Sequence, residues 1–486
     1  PDFLAIRYSQ GKEGGSRLVR IVAVGTTIVC SFVYLVAQIQ GVGLIVNRFI
    51  GVEFSIGVFF GLAGILVCSF LGGMRAVTWT QVAQYIILMI ALLLPLSMIS
   101  YKKHDSLLPQ ATYGQVLKEI ENHERDFEVT AEEVKVRDYY QKEVIRYEKK
   151  IAALPQSYFD GKKEADKALR DGRINQLPLK ELKALERRLV EYPTSPGNAY
   201  EVWQNEKRQA QLKSQVSTPS MDPAAKRGIG FLSLAQWNFI LLIFCLMFGT
   251  ASLPHILTRY YTTTSVSATR YSVFWTLFFV ALFYLSVPAL AAMVKLDLFK
   301  NLVGVSYAEL PTWVLQWRKL DPPVLSVTDI NLDGFVQWAE VSISPDMIIL
   351  AAPEITGLPY VISGLVAAGA LAAALSTADG LLLTIANAFS HDIYYHLIDK
   401  TASHQKRVTA AKVILLGVAL FAAYVTSLRP GDILFLVGAA FSLAASGFFA
   451  VLILAVFSKR INQWGAIAGM VTGLLVSGTY IGLNYP

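Results

Sequence analysis

Leu375-Ser376-Thr377-Ala378-Asp379-Gly380 lies in the middle of an apolar run covering 358–395. A helix needs about 20 apolar residues to cross the hydrocarbon core of a bilayer, and this run is longer than that. Eight further stretches are long and apolar enough: 18–46, 52–72, 78–99, 231–257, 271–294, 409–427, 433–457 and 463–483. Runs of this number and length read as membrane spans and not as buried helices of a soluble core. The first and sixth are unusually long, so they tilt, bend or extend beyond the bilayer. The fold class is an all-α multi-spanning membrane protein with about nine transmembrane helices.

The bulk composition agrees. Of the 486 residues 54% are apolar and only 16% charged, and the mean hydropathy is +0.45. These values exclude a disordered chain, a disulfide-stapled secreted domain and an ordinary soluble enzyme. Cys30, Cys68 and Cys245 all sit in apolar runs and suggest no disulfide framework. The net charge of +7 is explained by basic loops and does not imply nucleic acid. The chain starts at Pro1 with polar residues and no visible signal peptide, which reads as a fragment or a processed chain.

Charge is unevenly placed. Residues 101–228 hold 45 of the 79 Lys, Arg, Asp and Glu residues. This segment reads as two or three helices with a thin apolar seam (Val134, Val144, Ile145, Ile151, Leu154, then Leu179 to Glu186), punctuated by Pro155, Pro178, Pro193 and Pro196. It is either a solvated insertion or a module that docks a partner. Lys and Arg in the short loops set the orientation. One side collects thirteen: Arg7, Lys12, Arg17, Arg20, Arg75, Arg259, Arg270, Lys400, Lys406, Arg407, Lys412, Lys459 and Arg460. The short loops of the other side carry only Arg48 and Arg429. The thirteen-residue side is therefore cytoplasmic, and segments 101–228 and 295–357 are extracytoplasmic. Five parts follow: spans in 1–100, the charged insertion 101–228, spans in 229–294, the loop 295–357, and spans in 358–486.

Asp379 is the most informative residue inside the membrane. A carboxylate there costs at least a few kcal/mol unless it is paired, protonated or bound to a cation. No Lys or Arg falls in the middle of a span to pair with it. Ser376, three residues earlier, shares its helix face, and hydroxyl and carboxylate oxygens suit a small hard cation. The alternative is a structural Asp bonded to neighbouring helices. The small residues from Gly364 to Ala374 let another helix approach closely, and Gly57, Gly61 and Gly64 read as a packing face. The fourth span ends Gly249-Thr250-Ala251-Ser252-Leu253-Pro254-His255, which invites a break of the kind that holds substrates and ions in transporters. The alternative is a Pro kink near a helix end, with His255 structural. No metalloprotease, nucleotide-binding, nucleophile-elbow or zinc pattern appears, which argues against an enzyme.

Residues 329–340 fit the twelve-residue EF-hand loop. Asp329, Asn331 and Asp333 offer side-chain oxygens at positions one, three and five. Gly334 permits the sharp turn, Phe335 offers its carbonyl, Gln337 stands at position nine, and Glu340 closes the site with two oxygens. Pro322 and Pro323 leave little room for an entering helix, so a single loop is expected rather than a paired hand. It either binds Ca2+ or is an acidic turn without metal.

Together these residues resemble the sodium:solute symporter family, within it a bacterial subgroup similar to acetate permease that carries a large insertion. Gly72-Gly73-Met74-Arg75-Ala76-Val77-Thr78-Trp79-Thr80 resembles the start of the family's fifth core helix. Leu253 to Tyr261 resembles its broken sixth. Ala373 to Thr377, continued by Ser390-His391-Asp392-Ile393-Tyr394, resembles its eighth. The resemblance implies the LeuT-type architecture of two inverted repeats, here in part. The nine spans align with core helices three to ten and one extra helix, and the first two core helices look absent. It also implies Na+ as coupling ion, held in part by the Ala373 carbonyl, Ser376 Oγ and Thr377 Oγ1. The other half of that site belongs to the first core helix, so these residues alone do not complete it.

One departure from the family concerns a second cation. Many members carry Asp directly after Trp-Thr, and Ser three positions past the first sodium hydroxyl. Here those positions read Gln81 and Asp379. The expectation is that Asp379 and Gln81 face each other and bind or relay a second cation, Na+ or H+. The Thr250-Ser252-Pro254 segment looks closer to acetate permease than to proline permease, which favours a small monocarboxylate held at a helix N-terminus. The function implied is a Na+-coupled symporter of the bacterial inner membrane. The other readings are a symporter-like sensory input module and a proline-like amino-acid symporter. A small membrane subunit or a second copy is the kind of partner the insertion leaves room for.

Overall fold

The computed structural model describes residues 1–9, 15–190, 192–215, 234–320 and 324–483. Pro322 and Pro323, and residues 216–228 of the insertion, lie outside them. After a short α1 (Asp2–Arg7) come α2 (Arg17–Ile50) and α3 (Phe54–His104). Ser16 caps α2 by accepting from Val19 N–H, and Gly51 ends it at a φ of +80°, a conformation that favours glycine.

At about 1.5 Å per residue, the 51 residues of α3 would extend about 77 Å if straight. Its two ends nevertheless meet the same place. Arg48, just before α3, pairs with Glu354 at 2.9 Å, and Lys102, near its end, donates to the Thr356 carbonyl at 3.1 Å. The helix therefore folds back on itself and supplies two antiparallel crossings. The reversal falls between Ser69, which meets Asp379, and Val77, which packs with Leu383 and Ala386. Gly72 and Gly73 lie in that interval; the side chains of 71–75 are outside the described residues.

The insertion forms α4 (Pro109–Glu128), α5 (Ala131–Ala152), α6 (Gln156–Ile174), α7 (Leu179–Val190) and α8 (Pro196–Ser214). Five helices replace the two or three expected: Pro155, Pro178 and the pair Pro193 and Pro196 stand at three of the four breaks, and Val129-Thr130 makes the other without a proline. Next are α9 (Leu234–Ser252) and α10 (Pro254–Leu257), then α11 (Val266–Asn301) and a small α12 (Thr312–Trp317). The fourth span is bent by 40° where Ile240–Ser252 gives way to Pro254–Thr262. Strands β1 (Leu325–Val327) and β2 (Val341–Ile343) pair antiparallel, with Leu325 opposite Ile343, and enclose the acidic loop.

The remaining helices are α13 (Ile348–Ile355), α14 (Tyr360–Asn387), α15 (His404–Ser427), α16 (Ile433–Ala444), α17 (Ala450–Phe457) and α18 (Gln463–Leu483). A π-helical segment, Ala388–Ile398, continues α14, and another, Ala445–Phe449, joins α16 to α17. Among the described residues seven helices are long and apolar enough to cross a membrane, eight with the bent pair, and Phe54–Val67 is a shorter apolar helix. These segments match the nine sequence runs one for one.

Helix α14 is the centre of the bundle. Leu381, Leu382 and Ile385 pack with Leu35 and Ile39 of α2, Leu62 and Ile65 of α3, and Ala419 and Ala422 of α15. Gly369 lies against Ala91 so closely that a Cβ would overlap it. Gly57 and Gly61 likewise face Gly43, Val46 and Val42 of α2, whereas Gly64 faces open space. The helix ends sort into two faces. One carries the Arg48–Glu354 and Lys103–Asp297 pairs and the insertion. The other carries Arg7 on the Ala455 and Ser458 carbonyls, both at 2.7 Å, and Arg20 beside Asp392 at 3.4 Å.

Candidate functional site: a polar cluster at the middle of α14

The helical turn from Ala373 to Thr377 gathers the three expected sodium ligands. The Ala373 carbonyl accepts from Ser376 Oγ at 2.9 Å and from Thr377 Oγ1 at 3.3 Å. Such back-bonds are the resting arrangement of hydroxyls in an apolar helix, and they hold all three oxygens within one turn. Gln81 of α3 donates from Nε2 to the Ser376 carbonyl at 2.5 Å. Its Oε1 accepts from Arg259 Nη2 at 2.8 Å, and Arg259 Nη1 reaches Thr78 Oγ1 at 3.2 Å. Arg259 stands in the 3-10 turn Thr258–Thr262, beyond the break in the fourth span. In the sequence it stands as a loop cation, and no spacing there marks its return to the site.

Asp379 is 1% exposed. Ser69 Oγ donates to its Oδ1 at 2.6 Å, while Oδ2 has no hydrogen-bond partner among the described residues. Gln81 and Asp379 were expected to face each other. The structure joins them indirectly: Gln81 holds the Ser376 carbonyl, one turn before Asp379, and the direct partner of Asp379 is Ser69. Ser69 was not singled out because it is one hydroxyl in a long apolar run.

Thr250 and Ser252 both bond back to their own helix, to the Leu246 carbonyl at 2.7 Å and the Phe248 carbonyl at 2.6 Å. Pro254 is buried at the start of α10. Helix α10 continues without a gap into the 3-10 turn Thr258–Thr262, so the helical segment after the break starts at Pro254. Pro254 lines a cavity of about 460 Å3 with Thr27, Thr384, Asn387 and Asp392. A second cavity of about 280 Å3, lined by Gln38, Phe283, Asp346 and Ala373, approaches from the insertion face. The Ala373–Asp379 segment thus stands between two cavities, one toward each face.

The sodium:solute symporter family model matches residues 1–144 and 345–473. The chain belongs to the sodium:solute symporter family. An uncharacterized symporter of Cupriavidus necator is 59% identical over 486 residues, all of this chain and 71% of that one. A monocarboxylic acid transporter of Corynebacterium glutamicum is 28% identical over 273 residues, 55% of this chain and 42% of that one. An uncharacterized symporter of Bacillus subtilis is 24% identical over 98% of this chain and 65% of its own length. Among solved structures, a Na+-coupled sialic acid symporter in a substrate-bound outward-open state aligns with a TM-score of 0.47 at 14% identity, covering 97% of this chain and 75% of that one.

The family match leaves out 145–344, which contains most of the insertion and the acidic loop. In that loop Gly334 has a φ of +81°. Asp329 Oδ2 accepts from Gly334 N–H at 3.0 Å, and Asp333 Oδ1 from Phe335 N–H at 2.8 Å. Asn331 Nδ2 donates to Asp333 Oδ2 at 2.8 Å. Glu340, 1% exposed, turns back into the loop. Its Oε1 takes Ile330 N–H at 2.6 Å, and its Oε2 takes Gln337 N–H at 3.1 Å and the Tyr307 hydroxyl at 2.8 Å. Burial and this bond to Glu340 push the Tyr307 phenol far above its ordinary value. A strand precedes the loop, its last three residues form the 3-10 turn Trp338–Glu340, and a strand follows it. The flanking helices of an EF-hand are replaced by a β-ribbon.

A second polar cluster, not predicted from sequence, lies at the basic face. Asp2 meets Arg20, His391 at 3.3 Å and His396 at 3.9 Å. The His391 hydrogen bond and the Arg20 charge hold the Asp2 carboxyl well below the usual carboxylate range. The Arg20 guanidinium already supplies the cation there, so the arrangement reads as an ion-pair knot between α1, α2 and the end of α14.

Proposed function

We propose that this protein is a Na+-coupled secondary symporter that imports a small monocarboxylate, such as acetate, across the bacterial inner membrane by alternating access. The observation that carries the reading is the carboxylate of Asp379, sealed in the bundle with Oδ2 unpartnered, one turn from Ser376 and Thr377. A bare carboxylate at that depth costs at least a few kcal/mol, which a bound cation removes. In this reading the Ala373 carbonyl, Ser376 and Thr377 contribute to the main Na+ site. Asp379 holds or relays a second cation, with Gln81 linked to it through Ser376.

The break at Leu253–Pro254, with Thr250 and Ser252, forms part of the solute path. Arg259 ties that broken span to the cation helix through Gln81. Cavities on both sides of the Ala373–Asp379 segment suit a site opened to each face in turn. The similarity to a monocarboxylic acid transporter supports the solute class. The thirteen-cation face is cytoplasmic in this reading, so the insertion 101–228 and loop 295–357 are extracytoplasmic, and the spans divide into 1–100, 229–294 and 358–486. Ca2+ in loop 329–340 is a structural ion and takes no part in coupling.

The test is counterflow of labelled acetate, lactate, pyruvate and proline in proteoliposomes of the full-length protein, with and without Na+. Na+-dependent exchange of a monocarboxylate is expected. Exchange of none of the four, or exchange indifferent to Na+, contradicts the proposal.

A further inference from the structure

We propose that Ca2+ bound by the 329–340 loop is a clamp that fixes the inserted helices to the body of the transporter. This rests on the reading that the loop binds Ca2+, and it gives the ion a task. Two buried oxygens point to a ligand in addition to the acidic residues themselves. Gln337 is 7% exposed, its amide is turned into the loop with Nε2 on Asp333 Oδ2 at 2.7 Å, and its Oε1 has no partner among the described residues. Asp329 Oδ1 is likewise buried without a partner.

The backbone adds a further oxygen. The carbonyls of Gly334 and Val336 accept from Tyr307 N–H at 2.9 Å and Gly304 N–H at 2.8 Å. Carbonyls alternate along an extended segment, so the Phe335 carbonyl lies on the opposite side, toward the loop. Asp329, Asn331, Asp333, the Phe335 carbonyl, Gln337 and both oxygens of Glu340 make a seven-oxygen set. That suits Ca2+ better than octahedral Mg2+.

The loop is joined to the insertion through the turn that carries its last ligand. Glu133 of α5, 2% exposed, accepts the N–H of Ala339 on its two oxygens at 3.1 and 3.3 Å. Arg137, one turn on, closes on the same carboxylate at 3.2 Å. Ala339 is the neighbour of Glu340, so the Trp338–Glu340 turn presents a ligand to the loop and a backbone donor to α5. Trp338 also meets Phe299 of α11 edge-on at 4.7 Å, and Phe299 meets Phe127 of α4 at 5.2 Å. Drawing Glu340 onto a cation therefore sets the position of the turn on which the insertion docks.

The test uses the purified full-length protein in nanodiscs. Tb3+ luminescence reads occupancy of the loop, and hydrogen exchange reads α5, with Ca2+, Mg2+ or EGTA. The expected result is that millimolar Ca2+, and not Mg2+, displaces Tb3+ and slows exchange in α5 by about tenfold or more. Asp333→Asn, at an exposed side chain, is expected to lose both responses. Glu133→Ala is expected to keep Tb3+ displacement and lose the protection of α5. Displacement of Tb3+ without protection of α5 in the wild type overturns the clamp and leaves the Ca2+ site standing. Absence of displacement overturns the site and the clamp together.

Discussion

Ser69 donates a 2.6 Å hydrogen bond to one oxygen of Asp379, from a position 310 residues earlier in the chain. The bond ties the descending half of α3 to α14 at the level of the expected cation site. It satisfies one oxygen of a buried carboxylate, and the other has no hydrogen-bond partner among the described residues.

Replacing Asp379 by Asn removes the charge and keeps the shape. The apparent Na+ affinity for transport is expected to fall by about tenfold or more, equivalent to about 1.4 kcal/mol, and the cation stoichiometry or the pH dependence is expected to change. Ser69→Ala is expected to shift Na+ affinity while leaving stoichiometry intact, because it alters the carboxylate's partner and not its charge. Initial-rate uptake against Na+ concentration distinguishes the two. Asp379→Asn transport with unaltered stoichiometry and pH profile removes the second-cation role.

Gln81 links the Ser376 carbonyl to Arg259 with two bonds. Gln81→Leu leaves Arg259 without that acceptor and the Ser376 carbonyl without that donor. Uptake per folded protein is expected to drop several-fold, since the lost bond to the Arg259 guanidinium is worth about 1.5–3 kcal/mol and the neutral one to the Ser376 carbonyl about 0.5–1.5 kcal/mol. Normal uptake by this variant means the link does not connect the broken span to the cation helix.

The helix contacts around the break have little slack. A Cβ on Gly249 would lie 2.6 Å from the Phe441 carbonyl oxygen and 2.8 Å from Phe441 Cβ. Backbone atoms of a packed helix do not yield cheaply, and overpacking of this kind costs about 1–3 kcal/mol. Gly249→Ala is expected to lower the monodisperse fraction in fluorescence-detected size exclusion. Gly64→Ala, where nothing lies within 4 Å, serves as the neutral control.

Docking of the insertion is expected to depend on pH through Glu133. Burial pushes its carboxyl above the ordinary value of 4.5, outweighing the Ala339 N–H and Arg137, which favour the anion. A carboxyl with a raised folded pKa contributes stability that is fully present below the ordinary value and is lost as pH rises through the folded value. In EGTA, protection of α5, corrected for intrinsic exchange, is therefore expected to be greater near pH 4.5 than near pH 7.5. Glu133→Gln, which keeps the acceptor and cannot ionise, is expected to flatten the profile. A wild-type profile that rises with pH contradicts the assignment.

The sequence exposed what was energetically expensive or repetitive. Nine apolar runs were legible from length alone, and Asp379 from the cost of a charge inside one of them. Pro155, Pro178, Pro193 and Pro196 marked three of the four breaks of the insertion, and the break at Val129-Thr130 carried no such signal. Pairings between distant segments were not legible. Ser69 resembles any other hydroxyl in a span. Arg259 sits where a loop cation belongs, and only the turn after Pro254 brings it back to Gln81. Thr250 and Ser252 were legible as hydroxyls at a break, but not as groups bonded back to their own helix. The acidic loop was readable residue by residue, whereas its contact with Glu133 depends on how α5 lies across Trp338–Glu340.

The central claim is that the polar cluster on α14 couples a cation to solute movement. Its most direct test is uptake of a labelled monocarboxylate into proteoliposomes of the full-length protein under an imposed inward Na+ gradient, for the wild type and Ser376→Ala. The account predicts accumulation in the wild type that collapses when the gradient is removed, and loss of Na+ dependence in folded Ser376→Ala. Accumulation indifferent to the Na+ gradient, or equally Na+-dependent in the variant, would contradict it.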